Sequence, residues 1–75
     1  MARYTITGYD VHGEILLRTT HASDVSAYVE RAAWVERLNR PGDAVCKVEV
    51  LDHVKAKLET LYPTSGRYPD SRKKP

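Results

Sequence analysis

The sequence contains no phenylalanine, one tryptophan and one cysteine among its 75 residues. A single cysteine, Cys46, excludes an internal disulfide and fits a reducing compartment. No apolar run approaches the roughly 20 residues that a membrane-spanning helix needs, and no apolar signal-peptide core follows Met1. These absences predict a cytoplasmic protein with no membrane contact, and the length predicts one small domain.

The sequence also lacks the motifs that specify a chemistry. His12, His21 and His53 do not stand at metal-ligand spacing, and Cys46 lies in an apolar row that is typical of a buried, unreactive thiol. The four glycines are isolated, so no phosphate-binding loop is present. We therefore predict no metal, no cofactor and no enzymatic activity. An enzyme would need His21 or His53 close to Cys46 or to a carboxylate.

The net charge of +2 is placed unevenly along the chain. Residues 63–75 have four basic side chains against one acidic side chain, a net charge of +3, so residues 1–62 carry −1. Three of the four prolines lie in the same segment, and it has no apolar period. We predict a single domain over residues 1–62 and a flexible, basic, proline-containing tail over residues 63–75.

Two strands are predicted near the start of the chain. Residues 3–9 and 14–20 alternate in polarity and are rich in β-favouring side chains. The short segment between them contains Asp10 and Gly13, which favour a tight turn, so an antiparallel hairpin is expected. Tyr4 and Ile6 would face the core.

A long amphipathic helix is predicted over residues 23–40. Ser23 is the expected N-cap, and Pro41 ends the helix because it disfavours a helical residue before it. Five apolar side chains recur at helical spacing and form the predicted core stripe: Val25, Tyr28, Val29, Ala32 and Val35. Trp34 falls on another side of the helix, with Ala27 and Leu38.

A third strand is predicted over residues 44–51 and a second helix over residues 53–62, where Val54, Leu58 and Leu61 repeat at helical spacing. A right-handed crossover would make the third strand parallel to the second. The predicted fold is therefore α+β, with the order ββαβα. It has a three-stranded sheet of strand order 2-1-3 and helices packed on one face.

The leading functional hypothesis is a noncatalytic protein-binding surface centred on Trp34. Because Trp34 lies off the predicted core stripe, it would be exposed beside Leu38, with Arg31 and Arg37 flanking it. Tryptophan and arginine are enriched among the residues that dominate protein interfaces. The alternative is that Trp34 closes the rim of the core. A homodimer through the open sheet face or an edge strand is compatible with the hypothesis.

The second hypothesis is a nucleic-acid-binding protein. Proteins that bind single-stranded RNA stack bases on aromatic side chains of an open sheet face. The predicted open face carries one such aromatic, and basic side chains of the face and the tail would contact phosphates. The residues concerned are Arg3, Tyr9, Arg18, Lys47, Arg72, Lys73 and Lys74.

The layout also resembles a class of small proteins. A turn at residues 9–13 (YDVHG) and a helix entry at residues 19–24 (TTHASD) stand in a ββαβ pattern rich in Ala, Val, Arg and Asp. In this style the chain resembles small accessory proteins of actinobacteria and their phages. The resemblance implies a phage or prophage accessory protein that binds a host protein in the host cytoplasm. It transfers no functional residue.

Overall fold

The computed structural model describes residues 2–63, in which one helix covers one face of a four-stranded sheet. The elements are β1 (Tyr4–Tyr9), β2 (Ile15–His21), α1 (Asp24–Leu38), β3 (Lys47–Asp52) and β4 (Lys57–Leu61). The strand order is β2-β1-β3-β4, and all neighbouring strands are antiparallel. The α+β class is confirmed. Within the described residues, no helix is long and apolar enough to span a bilayer.

The predicted N-terminal hairpin is confirmed by β1 and β2. The Asp10 carboxylate accepts the backbone N–H groups of His12 at 2.8 Å and Glu14 at 2.9 Å, and it thereby holds the turn. Gly13 has φ +82°, a conformation that costs glycine little. The pairing register shifts by one residue between Gly8 and Tyr9, so β2 contains a bulge near its start.

The crossover through α1 also follows the prediction. β1 lies between β2 and β3 and is antiparallel to both, so β2 and β3 are parallel to each other. The predicted order 2-1-3 is therefore contained in the observed sheet. The fourth strand extends this order beyond β3.

The predicted second helix is wrong, because the chain forms β4 there. Asp52 accepts the N–H groups of Val54 and Lys55 at 3.0 and 3.2 Å, and Ala56 has φ +54°, so these residues form a turn and not a first helical turn. Leu58 then pairs with Leu51 on the open face of the sheet. A ten-residue helix gains little stability alone, whereas the edge of β3 offers ready hydrogen bonds to a strand.

The helix also buries the opposite face from the predicted one. Trp34 is 3% exposed, whereas Val25, Tyr28 and Val29 are 73%, 70% and 62% exposed. The core consists of three side chains from α1, three from β1 and β3, and one from the segment just before β3. They are Ala27, Trp34, Leu38, Ile6, Val48, Val50 and Val45. The apolar period correctly predicts an amphipathic helix, but both sides of this helix are apolar. The large indole occupies the core.

The indole lies directly on β1, which we call the central strand. A Cβ atom added at Gly8 would come within 2.5 Å of Trp34 Cζ3, so only glycine leaves room for the ring at this position. The other two helix-facing positions of β1 are Tyr4 and Ile6, which have side chains. Gly8 and Trp34 therefore set the distance between helix and sheet at this point.

Candidate protein-binding surface

The predicted interface residues do not form an exposed patch. Trp34 and Leu38 are buried against the sheet, so the prediction of an exposed indole is wrong. The alternative placed Trp34 at the rim of the core, whereas the ring lies inside the core and over Gly8. The Arg37 guanidinium lies 4.9 Å from the centre of the indole ring and covers its outer side. The sequence could not decide this, because Trp34 and the predicted core stripe are both apolar and compete for the sheet.

The two flanking arginines make internal ion pairs. Arg31 donates two hydrogen bonds to Glu59, at 3.0 and 2.6 Å, and so ties α1 to β4. Arg37 donates two to Asp43, at 3.1 and 3.0 Å, and holds the loop before β3. Arg31 lowers the pKa of the Glu59 carboxyl, and Arg37 lowers that of Asp43. Both arginines stabilise the monomer, so neither is free to act mainly as an interface anchor.

The Glu30 carboxylate contacts three side chains, two of which, Thr19 and His21, join α1 to β2. It accepts hydrogen bonds from Thr19 Oγ1 at 2.5 Å and Trp34 Nε1 at 2.8 Å, and it lies 2.7 Å from His21 Nε2. Burial raises the pKa of Glu30, but the bonds from Thr19, Trp34 and His21 outweigh it and lower the pKa overall. A partly buried carboxylate with this many donors is well stabilised in its ionised form.

His21 therefore does lie close to a carboxylate, which was the stated requirement for an enzyme. Its Nδ1 is 3.2 Å from Ser26 Oγ, so a serine, a histidine and a glutamate follow one another in a chain of hydrogen bonds. Ser26 Oγ also lies 3.2 Å from Ser23 Oγ, within the cap of the helix. The serine at one end of this chain thus contacts the cap of α1, and the glutamate at the other end contacts the buried indole.

Acid is expected to destabilise the domain, because Glu30, Asp43 and Glu59 bind protons more weakly in the folded state than in the unfolded chain. A carboxylate with a lowered folded pKa contributes stability above its unfolded pKa of about 4 and loses it as pH falls through the folded pKa. Thermal unfolding followed by circular dichroism should show a midpoint that falls below about pH 4. Glu30→Gln should reduce this fall. A midpoint that stays constant below pH 4 would contradict the lowered pKa values of these carboxylates.

A run of exposed apolar side chains lies on the outer side of α1. We call Val25, Tyr28, Val29 and Ala32 the outer stripe; all four are exposed and recur at positions i, i+3, i+4 and i+7. These are four of the five residues that the sequence assigns to the core. Periodicity therefore finds the right residues and assigns them to the wrong environment.

Charged and polar groups border the outer stripe. Tyr28 lines a shallow cleft of about 270 Å³ between α1 and the sheet, together with Asp24, Arg31 and Glu59. Asp24 accepts a hydrogen bond from the Tyr4 hydroxyl at 2.7 Å and forms an ion pair with Arg3, just before β1. An apolar centre beside a rim of ion pairs is the usual organisation of a protein interface.

The open face of the sheet brings together only part of the predicted nucleic-acid site. The Tyr9 hydroxyl donates to Glu49 at 2.8 Å, which raises the pKa of Tyr9, and Lys47 Nζ lies 4.6 Å from the centre of its ring. Lys47 also pairs with Glu49 at 3.8 Å, and Arg18 donates to Thr7 at 3.3 Å. The aromatic ring and its nearest cation are thus already engaged within the face.

The remaining predicted nucleic-acid contacts are elsewhere. Arg3 was predicted on the open face, but its guanidinium contacts Asp52 at 3.5 Å and Asp24, the first residue of α1, at 3.1 Å. It therefore lies on the side that carries the helix, and this part of the prediction is wrong. Arg3 precedes β1, so its side chain is not bound to the alternation of the strand and can turn toward the nearest carboxylates. The other predicted contacts lie outside the described residues: Arg72, Lys73 and Lys74.

The chain was compared with known families, curated proteins and solved structures. None of the three comparisons gave a match. Within residues 2–63, no three His, Cys, Asp or Glu side chains lie close enough together to hold a metal ion.

Proposed function

We propose that this chain is a small noncatalytic binding protein that recognises a protein partner through the outer stripe of α1. The observation that carries the proposal is the exposure of Val25, Tyr28 and Val29, each more than three-fifths open to solvent on one side of one helix. Contiguous apolar surface of this kind on a small domain is typical of a binding site. Tyr28 is the natural anchor, since tyrosine is enriched among interface residues that dominate affinity.

The expected partner presents an apolar groove. An amphipathic helix binds such a groove through residues at i, i+3, i+4 and i+7, which is the spacing of the outer stripe. The resemblance to small accessory proteins of actinobacteria and their phages suggests a host protein as the partner, bound in the host cytoplasm. The ion pairs beside the stripe would form the polar rim of that interface.

The nucleic-acid alternative has less support from the described residues. Binding to phosphates needs several cations free of internal partners, but Arg3 pairs with two aspartates and Lys47 with Glu49. Tyr9 is held by Glu49, so its ring is not presented as a free stacking platform. A complex with DNA or RNA that weakens steeply with salt would revive this alternative.

The test compares two exposed valines. Val29→Glu places a charge in the outer stripe, whereas Val54→Glu places the same charge in the exposed β3–β4 turn. Affinity capture from host lysate identifies the partner, and binding of the purified pair is then measured by titration calorimetry. Val29→Glu should weaken binding at least about tenfold, the effect expected of a central interface residue.

The control variant should bind as the wild type does. Circular dichroism should show that both variants keep the wild-type helix and sheet, since both valines are solvent-exposed. Equal affinity of Val29→Glu, Val54→Glu and wild type would refute the outer stripe as the binding surface. Equal loss of binding by both would show that the effect does not depend on the position of the charge, and would refute it as well.

A further inference from the structure

β2 is an outer strand of the sheet, and its free edge is well suited to another strand. Within the described residues it pairs with β1 alone. The backbone groups of an antiparallel strand point alternately to its two sides. Tyr9 accepts the N–H of Cys46, just before β3, and Asp10 donates its N–H to Glu14, just before β2. Odd-numbered residues of β1 therefore bond toward β3 and even-numbered residues toward β2. By the observed register, the backbone groups of Thr19 point toward β1 and those of Arg18 and Thr20 point outward.

The side chains of β2 do not protect this edge. Exposed edge strands are commonly protected by lysine, proline, inward charges, bulges or short length. The bulge of β2 lies near its start, before the part of the edge formed by Arg18, Thr19 and Thr20. β2 spans seven residues, contains no proline or lysine, and has one permanent charge, at Arg18. Ile15, Leu16 and Leu17 are each about half exposed. The other outer strand, β4, spans five residues and carries Lys57 and Glu59.

We propose that β2 pairs antiparallel with β2 of a second copy of this chain, joining two sheets into one of eight strands. A two-fold axis at Thr19 places Thr19 opposite Thr19 of the second copy. Arg18 then lies opposite Thr20 of the second copy, so the two copies of Arg18 do not face each other. The edge is therefore complementary to itself in chemistry and in hydrogen bonding, and a second copy satisfies it without a foreign sequence.

We call the paired β2 strands of the two copies the seam. Side chains beside the edge add contacts to it. An apolar groove of about 200 Å³ lies between β2 and α1 and is lined by Leu17, Ala33, Trp34 and the stems of Glu30 and Arg37. A strand seam alone buries less than the roughly 800 Å² per partner of a stable interface. The second copy's β2 would extend the floor of this groove and cover Leu17. The dimer should accordingly be weak and dependent on concentration.

The dimer leaves the outer stripe free, so it is independent of the proposed function. α1 packs over β1 and its two neighbours. Two helices above the two copies of β1 would be separated by three strand spacings, about 14 Å. Packed helices approach to about 8–10 Å, so the two helices would not touch. The seam and the proposed partner surface can therefore fail separately.

Sedimentation equilibrium over a concentration series tests the seam. The wild type should shift from 8.5 kDa toward twice that mass as concentration rises. Thr20→Pro removes an outward N–H that the monomer does not use, so the variant should stay monomeric with an unchanged circular dichroism spectrum. Thr60→Pro is the matched control, because the register points the backbone of Thr60 outward on the opposite edge. This control should dimerise as the wild type does.

Each other outcome decides the question. A wild type that stays at 8.5 kDa throughout, or a Thr20→Pro variant that dimerises normally, overturns the proposal. If Thr20→Pro unfolds, Leu17→Lys decides, since it changes only a half-exposed side chain; a folded monomer supports the seam and a folded dimer refutes it. Dimerisation lost in Val29→Glu but kept in Thr20→Pro would move the contact to the outer stripe.

Discussion

Trp34→Ala is expected to destabilise the domain by about 3–5 kcal/mol, the usual cost of deleting a large buried aromatic side chain. Trp34 is 3% exposed and fills the space between α1 and the central strand. A chain of 75 residues has a total stability of only a few kcal/mol, so the variant should be largely unfolded at room temperature. Urea unfolding must be followed by circular dichroism, since Trp34 is the only tryptophan.

Trp34→Phe separates packing from hydrogen bonding. It keeps an aromatic ring in the core but removes the Nε1 donor, leaving Glu30 with Thr19 and His21 as partners. The loss should be smaller than for alanine. A Trp34→Ala variant that keeps wild-type stability would show that the indole does not hold helix and sheet together.

Gly8→Ala is expected to cost about 1–3 kcal/mol, the range for forcing extra atoms into a packed core. The added methyl carbon would lie within 2.5 Å of Trp34 Cζ3, so the indole must move away from the central strand. Unfolding by urea, again followed by circular dichroism, measures the loss. A larger residue, as in Gly8→Val, should cost more.

A double-mutant cycle shows whether the two residues act on each other. In a Trp34→Phe background the smaller ring leaves space, so Gly8→Ala should cost less than in the wild type by about 1 kcal/mol or more. Gly13→Ala is the control, because a Cβ there meets nothing within 4 Å and its cost arises from φ alone. Its cost should be equal in both backgrounds. An unchanged cost for Gly8→Ala would contradict the proposed clash.

The local signals in the sequence predict the first half of the fold well. Asp10 and Gly13 form the hairpin turn as their chemistry requires, and Ser23 caps α1 by accepting the Ser26 N–H. The crossover connection through α1 then gives the relative direction of β2 and β3. These features depend on short-range interactions or on general topology rules. They do not depend on which apolar side chains are buried in the core.

The errors all concern competition between alternatives of similar local quality. α1 is apolar on two sides, and the outcome depends on Gly8 opening a space for the indole, which helical periodicity does not detect. Residues 57–61 suit either a short helix or a strand, and the free edge of β3 decides in favour of the strand. Arg31 is predicted as an interface residue because it flanks Trp34, and its true partner Glu59, 28 residues away, gives no local signal. The outer stripe itself was visible in the sequence, but as core.

The position of Cys46 has a practical consequence for handling the protein. Its thiol is free and buried next to the core, and its backbone N–H bonds to Tyr9 at 2.8 Å. An oxidant reaches the sulfur only when the residues just before β3 detach from β1. Molecules of the folded chain should therefore not cross-link covalently during storage in air, and any mass increase in solution reflects noncovalent association.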